Sequence, residues 1–310
     1  MAGLIPELQA WQQQGQYFSW RNHQIFFGEQ GQGPALVLIH GFPSASWDWQ
    51  YLLPMLSQHY RVIYLDMLGF GFSDKPLQPY LIAHQADVIE ALCQHLNVEQ
   101  MHILAHDYGD TVAQELLARQ LNKQHTISCL SCALLNGGLF PESHRPLLVQ
   151  KLLGSSLGPI FGRFFRQQTL TKNLTRIWGD KQPTPLELLG IWQLLRFNNG
   201  ERALPYIIRY MEERKQHRER WLFAIAETTI PFVLIDGVDD PISGQSLVNR
   251  FKTLIPEKTV CELQGVGHYP QLEAPQQVLT HLLPFLQHAQ SYIEQADCNY
   301  TTGLDKQKAV

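Results

Sequence analysis

Short apolar runs of β type alternate with helix-like stretches in the amino-terminal half of the chain. Strands are predicted where β-branched, aromatic and aliphatic residues cluster between turns rich in Gly, Pro and Asp. Strands that alternate with helices favour a mostly parallel central sheet flanked by crossover helices, which is the α/β class. The predicted strands of this half are residues 24–27, 35–39, 61–65, 101–105 and 127–135.

The pattern changes near residue 141, and residues 141–226 have helical periodicity without a predicted strand. Thr184 to Glu187 is typical of a capping box with proline at the first helical position, and it predicts a helix that ends near residue 198. Strand signals return at 231–235 and 259–263. The helical block is therefore predicted to be an all-helical cap inserted between two strands of the sheet.

The domain organisation follows from this pattern and from the polar end of the chain. We expect a tail with little apolar periodicity to be flexible. The predicted units are a core of residues 1–140 and 227–290, a helical cap of residues 141–226 and a flexible tail of residues 291–310.

Composition narrows the kinds of partner that the protein can have. The 310 residues carry a formal net charge of −4, which provides no basic field for nucleic acid. The amino terminus lacks the cationic start of a secretory signal, and every apolar run is well short of a membrane span, so we expect a cytoplasmic protein. Five cysteines are scattered along the chain, and a redox or zinc role for Cys129 and Cys132 is the minor alternative. The sequence does not indicate the oligomeric state.

The segment from Ile103 to Asp110 is the strongest local signal for chemistry. A predicted strand ends in Ala105-His106-Asp107-Tyr108-Gly109, and small residues on both sides of a nucleophile are what a tight strand-to-helix elbow requires. The start of the following helix stabilises negative charge nearby. Asp107 is therefore a candidate nucleophile, and the alternative is that it only caps the helix.

Two later strands are followed by an acid and a histidine. Asp236, Asp239 and Asp240 come at or after the strand 231–235, and His268 follows the next strand. The chain order nucleophile, acid, histidine is that of a hydrolase triad. We predict Asp240 as the acid, because it stands directly before a proline in the loop, whereas Asp236 is still at the strand end and Asp239 is expected to point outward.

These segments resemble the α/β-hydrolase superfamily, within it the branch of epoxide hydrolases and haloalkane dehalogenases that uses an aspartate nucleophile. The resemblance covers residues 24–286. It implies that the backbone N–H groups of Phe42 and Tyr108 form the oxyanion hole, and that His40 has a structural role. The strings that carry it are HGFPSASWDW, LDMLGFGFSDKP, AHDYGDTVAQELL, NGGLFPESHRPLLVQKLL, YMEERKQHRERW and GHYPQLEAP.

A carboxylate nucleophile suits displacement at a saturated carbon, which leaves an alkyl ester on Asp107. His268, oriented by Asp240, would activate the water that hydrolyses this ester, and the reaction requires neither a metal nor an organic cofactor. The expected partner is a small apolar molecule with an electrophilic carbon.

The residues at two positions favour an epoxide over a halide. Similar dehalogenases hold the halide with a tryptophan after the nucleophile and often an asparagine after His-Gly, and here these positions are Tyr108 and Phe42. A dehalogenase remains the alternative, and a non-catalytic binding protein is a second one.

Epoxide hydrolases protonate the epoxide oxygen with tyrosines of the cap. Tyr210 and Tyr206 are candidates for this role on a predicted helix 204–213, and the alternative is that they only pack the cap on the core. Trp192 is a further candidate for contact with substrate.

Overall fold

An eight-stranded sheet forms the centre of the protein. The structure, a computed structural model, describes residues 3–143 and 145–307, and describes side chains as far as residue 292. The strands are β1 (Gln16–Trp20), β2 (His23–Gln30), β3 (Ala35–Ile39), β4 (Arg61–Leu65), β5 (Gln100–His106), β6 (Ser128–Leu135), β7 (Phe232–Gly237) and β8 (Thr259–Leu263). Their order across the sheet is β1-β2-β4-β3-β5-β6-β7-β8.

Only the first edge of this sheet is antiparallel. β2 pairs with β1 and β4 in the antiparallel sense, and the other neighbouring strands are parallel. The predicted mostly parallel sheet is therefore confirmed. Because parallel strands all end at the same edge, the loops after β3, β5, β7 and β8 meet there.

The helices lie between the strands and in one long insertion. Two 3₁₀ helices, Ser46–Trp49 and Phe197–Arg202, accompany them. The α-helices are α1 (Pro6–Gln14), α2 (Leu53–Leu56), α3 (Ile82–His95), α4 (Tyr108–Leu121), α5 (Leu148–Leu153), α6 (Gly158–Arg163), α7 (Gln167–Ile177), α8 (Pro185–Arg196), α9 (Leu204–Ile207), α10 (Tyr210–Gln216), α11 (Arg218–Glu227), α12 (Gln245–Leu254), α13 (Pro270–Glu273) and α14 (Pro275–Gln307).

Apolar side chains cover both faces of the sheet. In β3, Leu36 and Leu38 belong to the core on one face, and Val37 and Ile39 belong to the core on the other. This alternation follows from the two-residue period of a strand. Since both faces are buried, the central strands are apolar at nearly every position, which is why they can be recognised in the sequence.

Helices α5–α11 occupy the chain between β6 and β7, and we call this part of the chain the helical insertion. Its last helix is held on α4 of the core by Glu115. The Arg220 guanidinium donates to both Glu115 carboxylate oxygens at 3.0 Å, and the Trp221 indole N–H donates to Oε2 at 2.9 Å. These contacts fix the carboxyl-terminal half of the helical insertion over the first helix after β5.

The predicted capping box is confirmed at the start of α8. The Thr184 hydroxyl accepts from the Glu187 N–H at 3.2 Å, and Glu187 Oε2 accepts from the Thr184 N–H at 2.6 Å. The predicted helix over 204–213 is wrong in part, because it consists of α9 and α10. Between them the N–H groups of Met211 and Glu212 donate to the carbonyl oxygens three residues earlier, which tightens the turn.

α14 extends into the predicted tail. It continues to Gln307, so residues 291–307 of the predicted tail belong to this helix. The flexibility of the tail stays a prediction. No helix within the described ranges is long and apolar enough to cross a bilayer.

Candidate active site

The predicted catalytic groups lie at the edge of the sheet where the parallel strands end. Phe42 follows β3, Asp107 follows β5, Asp240 follows β7 and His268 follows β8. All four residues are more than nine-tenths buried. The fold therefore brings together groups that are up to 226 residues apart in the sequence, from 42 to 268.

Asp107 has a backbone conformation that few non-glycine residues adopt. Its φ is 46° and its ψ is −102°, at the junction of β5 and α4. A Cβ atom at Gly109 would lie 2.2 Å from the carbonyl oxygen of Ile39, so only glycine fits at this position. The close approach of α4 to β3 explains why the sequence has a small residue here.

The Asp107 side chain does not cap α4, since it makes no capping hydrogen bond to that helix. Its Oδ2 instead accepts the backbone N–H of Phe42 at 3.1 Å. The amide of Tyr108 is the first of α4, where helix amides have no partner within the helix. The carboxylate thus faces the loop after β3, and the predicted contribution of the Tyr108 N–H stays a prediction.

Arg214 of α10 is the cationic partner of Asp107. Its Nη2 donates to the Asp107 carbonyl oxygen at 2.9 Å and lies 3.5 Å from Oδ1, while its Nε donates to the Thr111 hydroxyl at 2.8 Å. Burial by itself would raise the pKa of Asp107, but the charges of Arg214 and His268 outweigh it and the pKa is lowered. Asp107 is therefore a buried, ionised carboxylate.

His268 and Asp240 form the second half of the site. His268 Nδ1 lies 2.6 Å from Asp240 Oδ2. Because the Asp240 carboxylate is the acceptor, Nδ1 carries a proton in either charge state of the ring. Nε2 is therefore the nitrogen that can gain or lose a proton. Burial would lower the pKa of His268, but the negative charges of Asp240 and Asp107 raise it to about 9.

Three further groups hold the Asp240 carboxylate. Oδ2 also accepts from the Ser243 hydroxyl at 2.6 Å and from the Asn136 amide at 3.3 Å, and Oδ1 accepts from the Ile242 N–H at 2.8 Å. Burial would raise the pKa of Asp240, but His268 and these hydrogen bonds lower it. Of the other two acids, Asp236 is within β7 and Asp239 is exposed, so Asp240 is the one that reaches His268.

Glu273 positions the loop that carries His268. Its carboxylate accepts the N–H groups of Gly179 at 2.7 Å, Gly267 at 2.8 Å and Tyr269 at 2.8 Å. The His268 N–H itself donates to the carbonyl oxygen of Ile177 at 2.8 Å. Since residues 177 and 179 belong to the helical insertion, the position of His268 depends on how the insertion sits on the core.

Sequence reasoning missed Arg214 and Glu273 as site residues. Both lie in strings that carry the family resemblance, YMEERKQHRERW and GHYPQLEAP, and the first string contains several other charged residues that reach solvent or other partners. Lys215, for example, is exposed and pairs with Glu212 at 2.8 Å. The one usable signal for Arg214 was its spacing of four from Tyr210 on a helix.

Tyr210 is the cap tyrosine that the structure places at the site. It is fully buried, with its ring centroid 4.9 Å from that of Tyr108 and 4.5 Å from the Arg214 guanidinium carbon. Its hydroxyl has no hydrogen-bond partner among the described residues. Burial and the nearby charge of Asp107 raise the pKa of Tyr210, so the phenol keeps its proton.

Two other predicted cap contacts lie elsewhere. Tyr206 is half-buried on α9, whereas Tyr210 is the first residue of α10, so the two tyrosines belong to different helices. Trp192 does not line the cavity at His268; it borders an outer hollow with Leu189 and Arg196, whose guanidinium carbon lies 5.6 Å from its ring. The Trp192 ring centroid lies 6.4 Å from that of Phe165, a residue of the cavity wall, and contact of Trp192 with substrate stays a prediction.

A small apolar cavity of about 50 Å³ reaches Phe42 and His268. Its other walls come mainly from α5, α7 and the adjoining loops, including Leu147, Leu153 and Leu174. This volume holds only one or two water molecules. Side chains of the helical insertion must therefore move before an organic substrate can enter.

His40 has the structural position that the resemblance implied. Its Nε2 accepts the Met67 N–H at 3.0 Å, and its Nδ1 donates to the Gly41 carbonyl oxygen at 2.8 Å. Burial lowers the pKa of His40, so the ring is neutral and ties the loop after β3 to the loop after β4. Within the described ranges, no group of three His, Cys, Asp or Glu side chains is arranged to hold a metal ion.

Comparisons with known proteins agree with this architecture. The chain is 39 % identical over 297 residues to the mesoderm-specific transcript protein of Mus musculus, covering 91 % of this chain and 89 % of that protein. Among solved structures it is similar to the haloalkane dehalogenase DatA of Agrobacterium tumefaciens C58, at 18 % identity and a TM-score of 0.76, covering 89 % and 96 % of the two chains. It is also similar to the epoxide hydrolase CorEH, at 18 % identity and a TM-score of 0.72, covering 88 % and 98 %. Residues 34–275 match the alpha/beta hydrolase fold, and the chain therefore belongs to that family.

Proposed function

We propose that the protein is a hydrolase that opens epoxides through a covalent ester on Asp107, with the helical insertion acting as a cap over the site. The observation that supports this proposal best is the position of the Asp107 carboxylate. It makes no capping bond to α4, accepts the Phe42 N–H at 3.1 Å, and lies beside both Arg214 and His268. A carboxylate held in this way is available to attack.

In the first step Asp107 Oδ1 attacks a carbon of the epoxide, and the carbon–oxygen bond of the ring breaks. The electron pair goes to the epoxide oxygen, which takes the proton of the Tyr210 hydroxyl. Tyr210 suits this role because its hydroxyl is buried and unpartnered among the described residues. Arg214 lies next to its ring and would stabilise the phenolate that is left behind.

In the second step His268 takes a proton from water, and the water oxygen attacks the carbonyl carbon of the ester. The resulting oxyanion on Oδ2 is stabilised by the N–H of Phe42 and that of Tyr108. Cleavage of the bond from carbon to Oδ1 releases the diol, which takes the proton from His268. The new carboxyl group returns its proton to Tyr210, so one water is added in the whole cycle.

The charge of Asp107 determines when His268 can act as a base. In the free protein two carboxylates raise the pKa of His268 to about 9, so the ring is protonated at neutral pH. Ester formation neutralises Asp107, which removes one of these charges and lowers the pKa of His268. The ring then releases its Nε2 proton to solvent and becomes a base only after the ester exists, and it takes up a proton from solvent again when Asp107 is ionised at the end of the cycle.

An oxygen leaving group fits the site better than a halide. The side chain after the nucleophile is Tyr108, whose ring packs against Phe70 and Tyr210 at centroid distances of 5.3 and 4.9 Å. It brings no indole N–H for a halide. Tyr210 provides a proton, which an alkoxide needs and a halide does not.

Trapping of the ester tests the proposal. The variant His268→Gln is incubated separately with a panel of terminal epoxides and with 1-haloalkanes. With an epoxide, the peptide that contains Asp107 should gain the mass of that epoxide. The exposed His281→Gln variant is the control and should turn over without an adduct. An adduct only with haloalkanes would make the protein a dehalogenase, and no adduct with any probe would favour a non-catalytic binding protein.

A further inference from the structure

The first two helices of the cap expose an unusual number of apolar side chains. Monomeric proteins seldom present large contiguous apolar patches to water. Leu148 and Phe164 are 76 % and 71 % exposed. We call the following set the apolar face: Leu148, Leu152, Leu157, Ile160, Phe161 and Phe164.

Exposed cations flank the apolar face along the chain. Residues 145–179 contain no Asp or Glu, although the whole chain has a net charge of −4. None of the cations in this segment forms an ion pair with a described acidic side chain. We call them the basic rim, and they are Arg145, Lys151, Arg163, Arg166, Lys172 and Arg176.

A groove beside this surface shares a wall with the cavity that reaches His268. It has a volume of about 340 Å³, and its walls include Leu148, Leu152 and Phe164 of the apolar face and Lys172 and Arg176 of the basic rim. Five residues line both this groove and the cavity that reaches His268, namely Leu147, Val149, Leu153, Phe165 and Asn173. The apolar face therefore lies on the outer side of the wall that closes the cavity at His268.

We propose that the apolar face docks on the surface of an anionic phospholipid bilayer, with the basic rim against the headgroups. Short amphipathic helices with exposed Leu, Ile and Phe and flanking Lys and Arg bind in the plane of such a surface without crossing it. The bilayer satisfies both features at once, since it buries the apolar side chains and neutralises the cations.

A second copy of the chain fits this surface less well. A symmetric dimer built on the apolar face would bring two basic rims together, and no acidic side chain in residues 145–179 is available to pair with them. Charge complementarity therefore favours the anionic membrane over self-association.

This docking site also predicts where the substrate comes from, a point that rests on the proposed function. An apolar epoxide dissolved in the bilayer would pass through the groove to the cavity at His268 without entering water. Such passage requires that side chains shared by groove and cavity, such as Phe165 and Leu153, move apart.

Vesicle flotation of the whole protein tests the proposal. The wild type should float with vesicles of phosphatidylglycerol and phosphatidylcholine, and should float far less with phosphatidylcholine alone or at high salt. The double variant Leu148→Ser/Phe164→Ser should bind at least roughly tenfold more weakly. Arg163→Gln/Arg166→Gln should weaken binding to the anionic vesicles by about tenfold or more.

Matched controls separate this surface from exposed apolar and basic residues elsewhere. Phe223→Ser removes a side chain that is 61 % exposed on α11, and Lys123→Gln/Arg202→Gln removes two exposed cations. Both control variants, Phe223→Ser and Lys123→Gln/Arg202→Gln, should bind vesicles and unfold thermally like the wild type. Leu148→Ser alone replaces the double variant if the latter unfolds.

Three results would overturn the proposal. They are no flotation of the wild type with either vesicle, flotation that Leu148→Ser/Phe164→Ser leaves unchanged, and a dimer by light scattering that these substitutions abolish. Asp107→Asn should bind vesicles normally, so a failure of the proposed enzymatic function would leave the flotation result intact.

Discussion

The Arg214 guanidinium of the helical insertion donates to the backbone carbonyl oxygen of Asp107 at 2.9 Å and lies 3.5 Å from its carboxylate. The contact joins the helical insertion to the residue proposed as nucleophile. Because Arg214 is only 3 % exposed, solvent screens its charge little at Asp107. The helical insertion thus contributes to the charge and the orientation of Asp107.

Substitution Arg214→Gln should slow formation of the Asp107 ester by roughly 10- to 100-fold, the range expected for a buried hydrogen bond to a charged group. Loss of the positive charge should also raise the pKa of Asp107, which moves the acid limb of the rate of ester formation to higher pH. Stopped-flow measurement across pH checks both effects. Arg218→Gln, on a side chain that pairs with Glu142, is the control. An unchanged acid limb in Arg214→Gln would contradict this role.

Substitution Gly109→Ala should destabilise the protein by about 1–3 kcal/mol or more, because the new Cβ would lie 2.2 Å from the Ile39 carbonyl oxygen. Urea unfolding measures this change. Gly154→Ala is a suitable control, since its Cβ would meet no atom closer than 3.4 Å. Equal stability of the two variants would show that α4 does not pack on β3 as closely as described.

The pH dependence of stability should carry the signature of His268. Its folded pKa of about 9 lies above its usual value of 6.5. A raised pKa contributes stability that is fully present below pH 6.5 and is lost as the pH rises through about 9. The free energy of unfolding of the wild type should therefore fall more steeply over this window than that of His268→Gln, with His281→Gln following the wild type. Parallel curves would mean that His268 is not protonated in the folded protein.

Much of the fold could be predicted because buried parallel strands are apolar at almost every position. β3, β4 and β8 lie at the predicted residues 35–39, 61–65 and 259–263. The candidate triad could also be located, since the tight turn at Asp107 demands small neighbours and the acid and histidine follow consecutive late strands. For groups that a parallel sheet brings to one edge, their order along the chain is enough to predict that they lie close together.

The helical insertion was predicted less well, because its side chains are placed by packing on the core. Trp192 and Tyr206 have the residue types of a substrate contact, yet neither lines the cavity that reaches His268. Arg214 is one of several cations in its segment, and only the fold shows that it alone is buried against Asp107. The periodicity of 204–213 also concealed the tightened turn, since the N–H groups that bond three residues back leave no mark in the sequence.

Turnover in heavy-oxygen water tests the proposed ester on Asp107 most directly. With a terminal epoxide and excess enzyme, the diol of a single turnover should contain no oxygen from the solvent, because its new oxygen comes from Asp107. After many turnovers, mass measurement should find heavy oxygen in the carboxylate of Asp107 and in the diol. A diol labelled in the first turnover, together with an unlabelled Asp107, would show that water attacks the epoxide directly and would contradict the account.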